Sequence, residues 1–313
     1  MLKNKAQYSN RLDEQDTIFF ERELEHVKQR TYDVKFPRLR FAEGDLIPIS
    51  FEAGPGARSI TYETFTMLGM AKVISDYAAD LPRGDVKGKE TTVNVKDLGS
   101  SFGWNIREIK AARRTGKPLE SRKSQAARRA IFQLLDKIGA FGDKESGLQG
   151  LLTHPNITEV IVPADGTGSS TKFKDKTPEQ VLRDLNAIPT AIIDSTNGVE
   201  SPNTMLMPHS QFEFIANTPR SIHSNVSIKK WFLEENEHIK EIIPVVKMKG
   251  ADNGEDVIVC YEKNPQTMTF EIPDPFEILD GEAKGLETVF PVLMSTGGVI
   301  IYYPLSVAKA VGI

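Results

Sequence analysis

The stretch LGSSFGWNIREIKAARRTGKPLESRKSQAARRAIFQLLDKIGAFGDKESGLQGLLTHPN, residues 98–156, decides how the chain is read. Within it Ala127, Ile131, Leu134 and Ile138 recur at helical spacing, the apolar stripe of an amphipathic helix. Leu135 widens that stripe. Pro118 suits a first helical turn, where its missing N–H would have been unpaired anyway. Gly139 and Gly142 read as the stop. The pattern predicts a helix over 118–139, a rod roughly 30 Å long at about 1.5 Å per residue. Such a rod is a spine for a domain.

Charge is concentrated on the same stretch. Between Arg107 and Lys137 ten Lys/Arg face three carboxylates, a local charge of +7 in a chain whose net charge is −4. Such a segment is either a solvated helix face or a surface turned toward a polyanion. Phe102 and Trp104 stand just before it. Burial where a strand joins the core explains them better than base stacking.

Bulk properties bound the class. A chain of 313 residues can bury a large core, and 39% hydrophobic with 26% charged residues is ordinary for a globular protein. No run approaches the roughly eighteen apolar residues of a membrane span, so no membrane partner is expected. The opening MLKNKAQYSNRLDEQD lacks an apolar signal region. Cys260 is the sole cysteine, which excludes an intrachain disulfide and fits synthesis in a reducing cytosol.

Outward from the spine, residues 12–30 form a heavily charged helix with a thin apolar face, marginal on its own. Residues 34–51 read as extended, ended by the Gly54–Pro55–Gly56 turn. Residues 60–74 and 89–98 have strand character, and the polar DYAADLPRGDVKG between them predicts a long two-stranded ribbon with a polar tip. A lone ribbon is marginal in water and must lie on something else. Beyond the spine a helix is predicted to start near Thr177, with Pro178 first and Val181, Leu182, Leu185 and Ile188 inward. Strand 204–207 and helices at 210–216 and 226–237 follow. Strands come next at 242–248, 257–261 and 267–272. A hairpin of 289–294 with 298–303 closes the pattern. Strands and helices in no repeating order argue for α+β over a doubly wound sheet.

Signals of chemistry are missing. His26, His154, His209, His223 and His238 are scattered, without metal-ligand spacing. Gly166-Thr-Gly168-Ser-Ser-Thr171 follows a strand, but Thr171 takes the third glycine position and the next helix starts too late for a pyrophosphate site. No nucleophile elbow or Walker pattern occurs. No catalytic residue, cofactor or metal is predicted, and the chain is not expected to be an enzyme.

Four blocks recur together in one known family: RELEHVKQRTYDVKFPRLRF (22–41), YETFTMLGMAKVISDYAADLPRGDV (62–86), LGSSFGWNIREIKAARRTGKPL (98–119) and GLQGLLTHPNI (147–157). With their order, from about residue 12 to 313, the chain resembles the major capsid proteins of tailed bacteriophages, whose fold is shared with encapsulin shells.

The resemblance implies a capsid fold with an N-terminal arm (1–46) and an extended β-ribbon loop with its base (47–100). A peripheral domain (101–187 with 266–313) would hold the spine helix 118–139, and 188–265 would be an axial domain. Assembly contacts would involve Tyr62, Met67, Met70, Asp76, Arg83, Asp85, Lys89 and Val93 of the ribbon. Arg113, Arg114, Arg122 and Lys123 would face packaged DNA non-specifically. Implied partners are further copies, as pentamers and hexamers in a closed shell, with portal, scaffolding, and decoration or vertex proteins. Scaffolding would come from a separate protein or a prosegment. The expected location is the virion capsid, after synthesis in the bacterial host cytoplasm. The alternatives are an encapsulin-type compartment enclosing cargo enzymes and a soluble enzyme with an unrecognised site.

Overall fold

The computed structural model describes residues 36–69, 83–115, 121–221 and 223–313. By internal contacts the chain divides into Met1–Arg38 and Leu39–Ile313. The helix expected at 12–30, and Met70, Asp76 and Pro118, lie outside the described residues.

In chain order the elements are β1 (Ile49–Ser50), β2 (Ser59–Leu68), β3 (Asp85–Asn94), β4 (Lys96–Asn105), α1 (Ile106–Thr115) and α2 (Arg122–Phe141). Then come β5 (Thr158–Val160), α3 (Pro178–Ser195), β6 (Thr204–Met207), α4 (His209–Asn217) and α5 (Ile228–Glu235). The chain continues with β7 (Glu241–Pro244), β8 (Val257–Tyr261), β9 (Met268–Glu271), β10 (Glu277–Ile278) and β11 (Glu282–Lys284). It finishes with β12 (Glu287–Thr296), β13 (Gly298–Ile301) and β14 (Val307–Val311).

The five-stranded sheet β5-β14-β8-β6-β7 is a wall between two apolar cores. Val257, Val259 and Tyr261 of β8 enter one core, while Ile258 and Cys260 enter the other. A strand buried on both faces has no use for polar alternation, hence the run VIVCY. The first core holds the spine helix α2, β4, β9, β12 and β13. The second is closed by α3, α4 and α5. Helix α3 starts as its sequence dictates: Thr177 caps it, the Gln180 side chain reciprocates, and Pro178 sits in the first turn.

Several expectations need correcting. Leu134 is 44% exposed, whereas Leu135, beside it, is fully buried with Ala127, Ile131 and Ile138. At 100° per residue the core side of α2 is rotated from the expected stripe toward Leu135, which leaves Leu134 at its solvent edge. Gly139 does not stop the helix. It lies inside α2, where an added Cβ would come within 2.9 Å of the Phe41 Cβ. Its role is close packing, and Gly142, at φ 66°, caps the helix instead.

The closing hairpin is absent too. β12 pairs with β4 over ten residues, whereas β13 pairs with β9. The chain changes sheets at Gly298 (φ 75°), where Thr296 Oγ1 donates to the Glu271 carbonyl at 2.9 Å. The stretch 40–47 is turn-like, not extended, and Phe41, Ala42, Leu46 and Ile47 are buried. These four residues pack in the first core.

Candidate assembly surface

The ribbon of β2 and β3 pairs antiparallel over ten residues per strand, Ser59 opposite Asn94 through Leu68 opposite Asp85. That is roughly 33 Å of two-stranded sheet. Strand alternation gives it two faces. On one, Ile60, Tyr62, Thr91 and Val93 are half-buried. Tyr62 meets Tyr302 edge-on at 5.1 Å between ring centroids. Lys89 shares this face and, with Tyr62, Tyr302, His154 and Asn156, lines a groove of about 370 Å³.

The opposite face carries Phe65, Met67 and Val86 next to one another in register. They are 64%, 84% and 56% exposed. Phe65 lies across Gly88, so a glycine with no side chain of its own is covered from the partner strand. The ribbon's base is therefore packed on its own chain, and its outer half offers apolar surface to solvent. Of the sequence-predicted residues, Tyr62 and Val93 face the chain's own body and Met67 faces outward. Arg83, Asp85 and Lys89 are exposed.

Among the cations expected to face DNA, Arg113 and Arg114 are exposed on α1, and no described residue pairs with them. Lys123 is not free for such a role. Its ammonium lies 2.9 Å from Glu108 and donates to the Gly103 carbonyl at 3.1 Å. Lys123 holds the Glu108 carboxyl below its usual pKa. Glu108 also accepts from Asn105 N at 3.0 Å while the Asn105 side chain accepts from Arg107 N, a reciprocal cap for α1. Arg122 is engaged within the chain as well. Arg128 stacks over Phe132 and Phe276, 5.2 and 5.4 Å from their centroids.

Two ionic pins escaped the sequence reading. Asp136, buried on the spine helix, accepts from Phe41 N at 2.8 Å and Ala42 N at 3.3 Å and pairs with Lys247. Lys176, its side chain fully buried, pairs with Asp184 and donates to the Pro163 carbonyl at 2.7 Å. Arg183 bridges Asp165 and Asp184, 2.6 Å from each. The first pin joins residues remote in sequence, which no local pattern announces, whereas the second closes within about twenty residues, from Pro163 to Asp184. Among the described residues no group of three or more His, Cys, Asp or Glu could hold a metal ion, and no helix is long and apolar enough to cross a membrane.

The sequence model of the family described as "Major capsid protein" matches residues 69–313. The chain belongs to the major capsid protein family. Its fold is similar to the capsid of the Myoviridae phage XM1, with a TM-score of 0.77 at 18% identity, over 95% of this chain and 99% of that one. It is also similar to the capsid of an empty GTA particle, with a TM-score of 0.61 at 9% identity, over 92% and 94% of the two chains. For a virus-like particle from Pyrococcus furiosus the TM-score is 0.53 at 13% identity, covering 87% and 95%. No curated protein matches in sequence. As a major capsid protein the chain is a structural component of the virion capsid and assembles into an oligomeric shell. Its α+β architecture is the phage major-capsid fold.

Proposed function

We propose that this capsid protein closes, as pentamers and hexamers, into an icosahedral shell around a phage double-stranded DNA genome. The observation that carries the proposal is the outward face of the ribbon: Phe65, Met67 and Val86 are exposed on a two-stranded element that cannot bury them alone. Neighbouring copies that cover this patch would stabilise the ribbon by mass action, coupling ordering to assembly. The ribbon would lie on an adjacent subunit. The second core, with α3–α5, would form the axial domain, and the spine helix and the β4–β12 pair the peripheral one.

Portal, scaffolding, and decoration or vertex proteins would complete the particle, made in the host cytoplasm without enzymatic activity of this chain. Contact with packaged DNA would be non-specific and salt-sensitive. Of the four cations expected there, Lys123 is held by Glu108 and Arg122 is engaged within the chain. A compartment shell for cargo enzymes is not favoured, since the phage XM1 capsid is the better superposition.

The test is negative-stain electron microscopy of the chain, alone and with its neighbouring genes, beside Phe65→Glu/Met67→Glu. Closed shells from the wild type and soluble, unassembled subunits from the variant are expected. Monodisperse subunits in every wild-type preparation would overturn the reading.

A further inference from the structure

The sheet of β4, β10, β11 and β12 has one covered and one open face. Leu98, Val292 and Met294 are buried on the side of the first core. On the other side the register sets Gly99, Ser101 and Gly103 of β4 opposite Leu293, Pro291 and Val289 of β12. Directly paired residues share a face. The open face therefore also carries Glu277 opposite Leu293, Glu282 opposite Val289, and Glu287 opposite Asn105. All three carboxylates and Leu293 are exposed. Two cations lie beside them: Lys284, opposite Glu287 and 3.8 Å from Glu282, and Arg58, which lines a groove with Glu277 and Leu293. The result is a shallow apolar trough with an acidic border. Glu277 and Glu282 stand about four residues apart along β12, roughly 13 Å.

Helix α1 has the complementary surface. It buries none of its residues. Ile109 and Ala112 are half-buried, while Arg107, Lys110, Arg113 and Arg114 are exposed. At 100° per residue these four cations occupy about a third of the helix circumference, with Ile106 among them. Arg107 and Arg114 are about 10 Å apart along the axis. No described carboxylate pairs with any of the four, because Glu108 is turned to Lys123. The tie of Ile106 N to the Leu286 carbonyl at 2.8 Å and the Lys123 bond to Gly103 hold α1 at the rim of its own sheet.

We propose that the cationic face of α1 on one copy seats on the acid-bordered sheet face of a second copy. The proposal rests on the shell reading and names the two surfaces that would meet in it. Sign, spacing and apolar content match: four cations around an isoleucine against three carboxylates around Val289, Pro291 and Leu293. The two surfaces differ, so the contact is head-to-tail, the kind that propagates around a ring until it closes. Single exposed ion pairs contribute little, but several of one sign on each side fix register and reject wrong neighbours. Arg113 and Arg114 are thereby assigned to a protein contact in place of phosphate.

The experiment is a charge swap in the full chain. Arg107→Glu/Lys110→Glu/Arg114→Glu and, separately, Glu277→Lys/Glu282→Lys/Glu287→Lys should each give folded subunits that do not form shells. The chain carrying all six substitutions should recover shells, and so should a mixture of the two triple variants form mixed rings. Recovery cannot come from a misfolded variant, which keeps the test decisive if one triple variant is unstable. Shells of normal yield from either triple variant, or no recovery in the six-fold chain, would overturn the contact. An α1 variant that assembles normally but packages less DNA would overturn it in favour of phosphate. A wild-type chain that never assembles would remove the shell reading and this contact with it. Loss of assembly in Phe65→Glu/Met67→Glu, with both charge variants assembling normally, would leave the reading standing and this contact refuted.

Discussion

Asp136 Oδ1 accepts the Phe41 backbone N–H at 2.8 Å, joining the spine helix to a segment 95 residues earlier. The same carboxylate takes Ala42 N and Lys247. Asp136→Ala strips a half-buried cation and two buried donors of their partner. A loss of about 3–5 kcal/mol is expected in chemical denaturation of the unassembled subunit. Adding Lys247→Met should recover part of that loss, because the uncompensated charge goes with it.

The phase of the spine helix gives a paired test. Ile131→Asp buries a charge in the first core and should cost several kcal/mol. Leu134→Asp, on the solvent side, should change stability by no more than about 0.5 kcal/mol. Equal melting temperatures for the two variants would refute this orientation of the helix.

Gly139→Ala sets propensity against packing. Alanine favours a helix interior by about 1 kcal/mol over glycine. Here its methyl would lie 2.9 Å from the Phe41 Cβ and 3.1 Å from the Phe270 ring. Overpacking of that kind costs about 1–3 kcal/mol, so net destabilisation is expected by denaturant titration. A stabilised variant would show that the Phe41 segment yields easily.

Two carboxylates should give opposite pH dependences. Arg183 bonds Asp165 and holds its pKa down to about 2. The folded state binds that proton less readily than the unfolded one. Its stabilisation is complete above the ordinary aspartate pKa and fades as pH falls through about 2. Asp165→Asn should flatten this acid limb. Glu200, partly desolvated and beside Glu262, is raised to about 6. Its proton is held more tightly in the folded state, so stability is greater below the ordinary glutamate pKa and declines as pH rises through about 6. Glu200→Gln should remove that decline, read from unfolding free energies between pH 4 and 7.

Cys260 is buried, and desolvation pushes its thiol pKa far up. Native subunits should not react with a thiol reagent at neutral pH, and denatured ones should react at once. Rapid modification of native protein would mean that the wall between the two cores opens.

What the sequence disclosed and what it withheld follow from how local each signal is. The Thr177–Pro178–Gln180 start of α3 lies within four residues and could be read directly. The ribbon's pairing was readable because its two strands are sequence neighbours. The strands after residue 289 misled because alternation identifies a strand but not its partner, and β12 finds β4 nearly two hundred residues earlier. Leu134 and Leu135 differ by one helical step, and only the position of Phe41 and its neighbours says which points inward. Lys123 counted as one of many cations until Glu108 was seen beside it. The capsid family was legible from block order. The acidic border on the sheet was not, because Glu277, Glu282 and Glu287 share a face only through the register of three strands.

The position of β14 sets a timetable. It lies between β8 and β5 in the wall separating the cores, paired with strands made about 50 and 150 residues earlier. On the ribosome neither core can be sealed until residue 311 has left the exit tunnel. The ribbon, encoded from residue 59, emerges long before that with Phe65 and Met67 bare. Each nascent chain therefore displays Phe65 and Met67 before its body can be finished. Copies growing side by side on one message would carry that patch bare while the wall of each body still lacks β14.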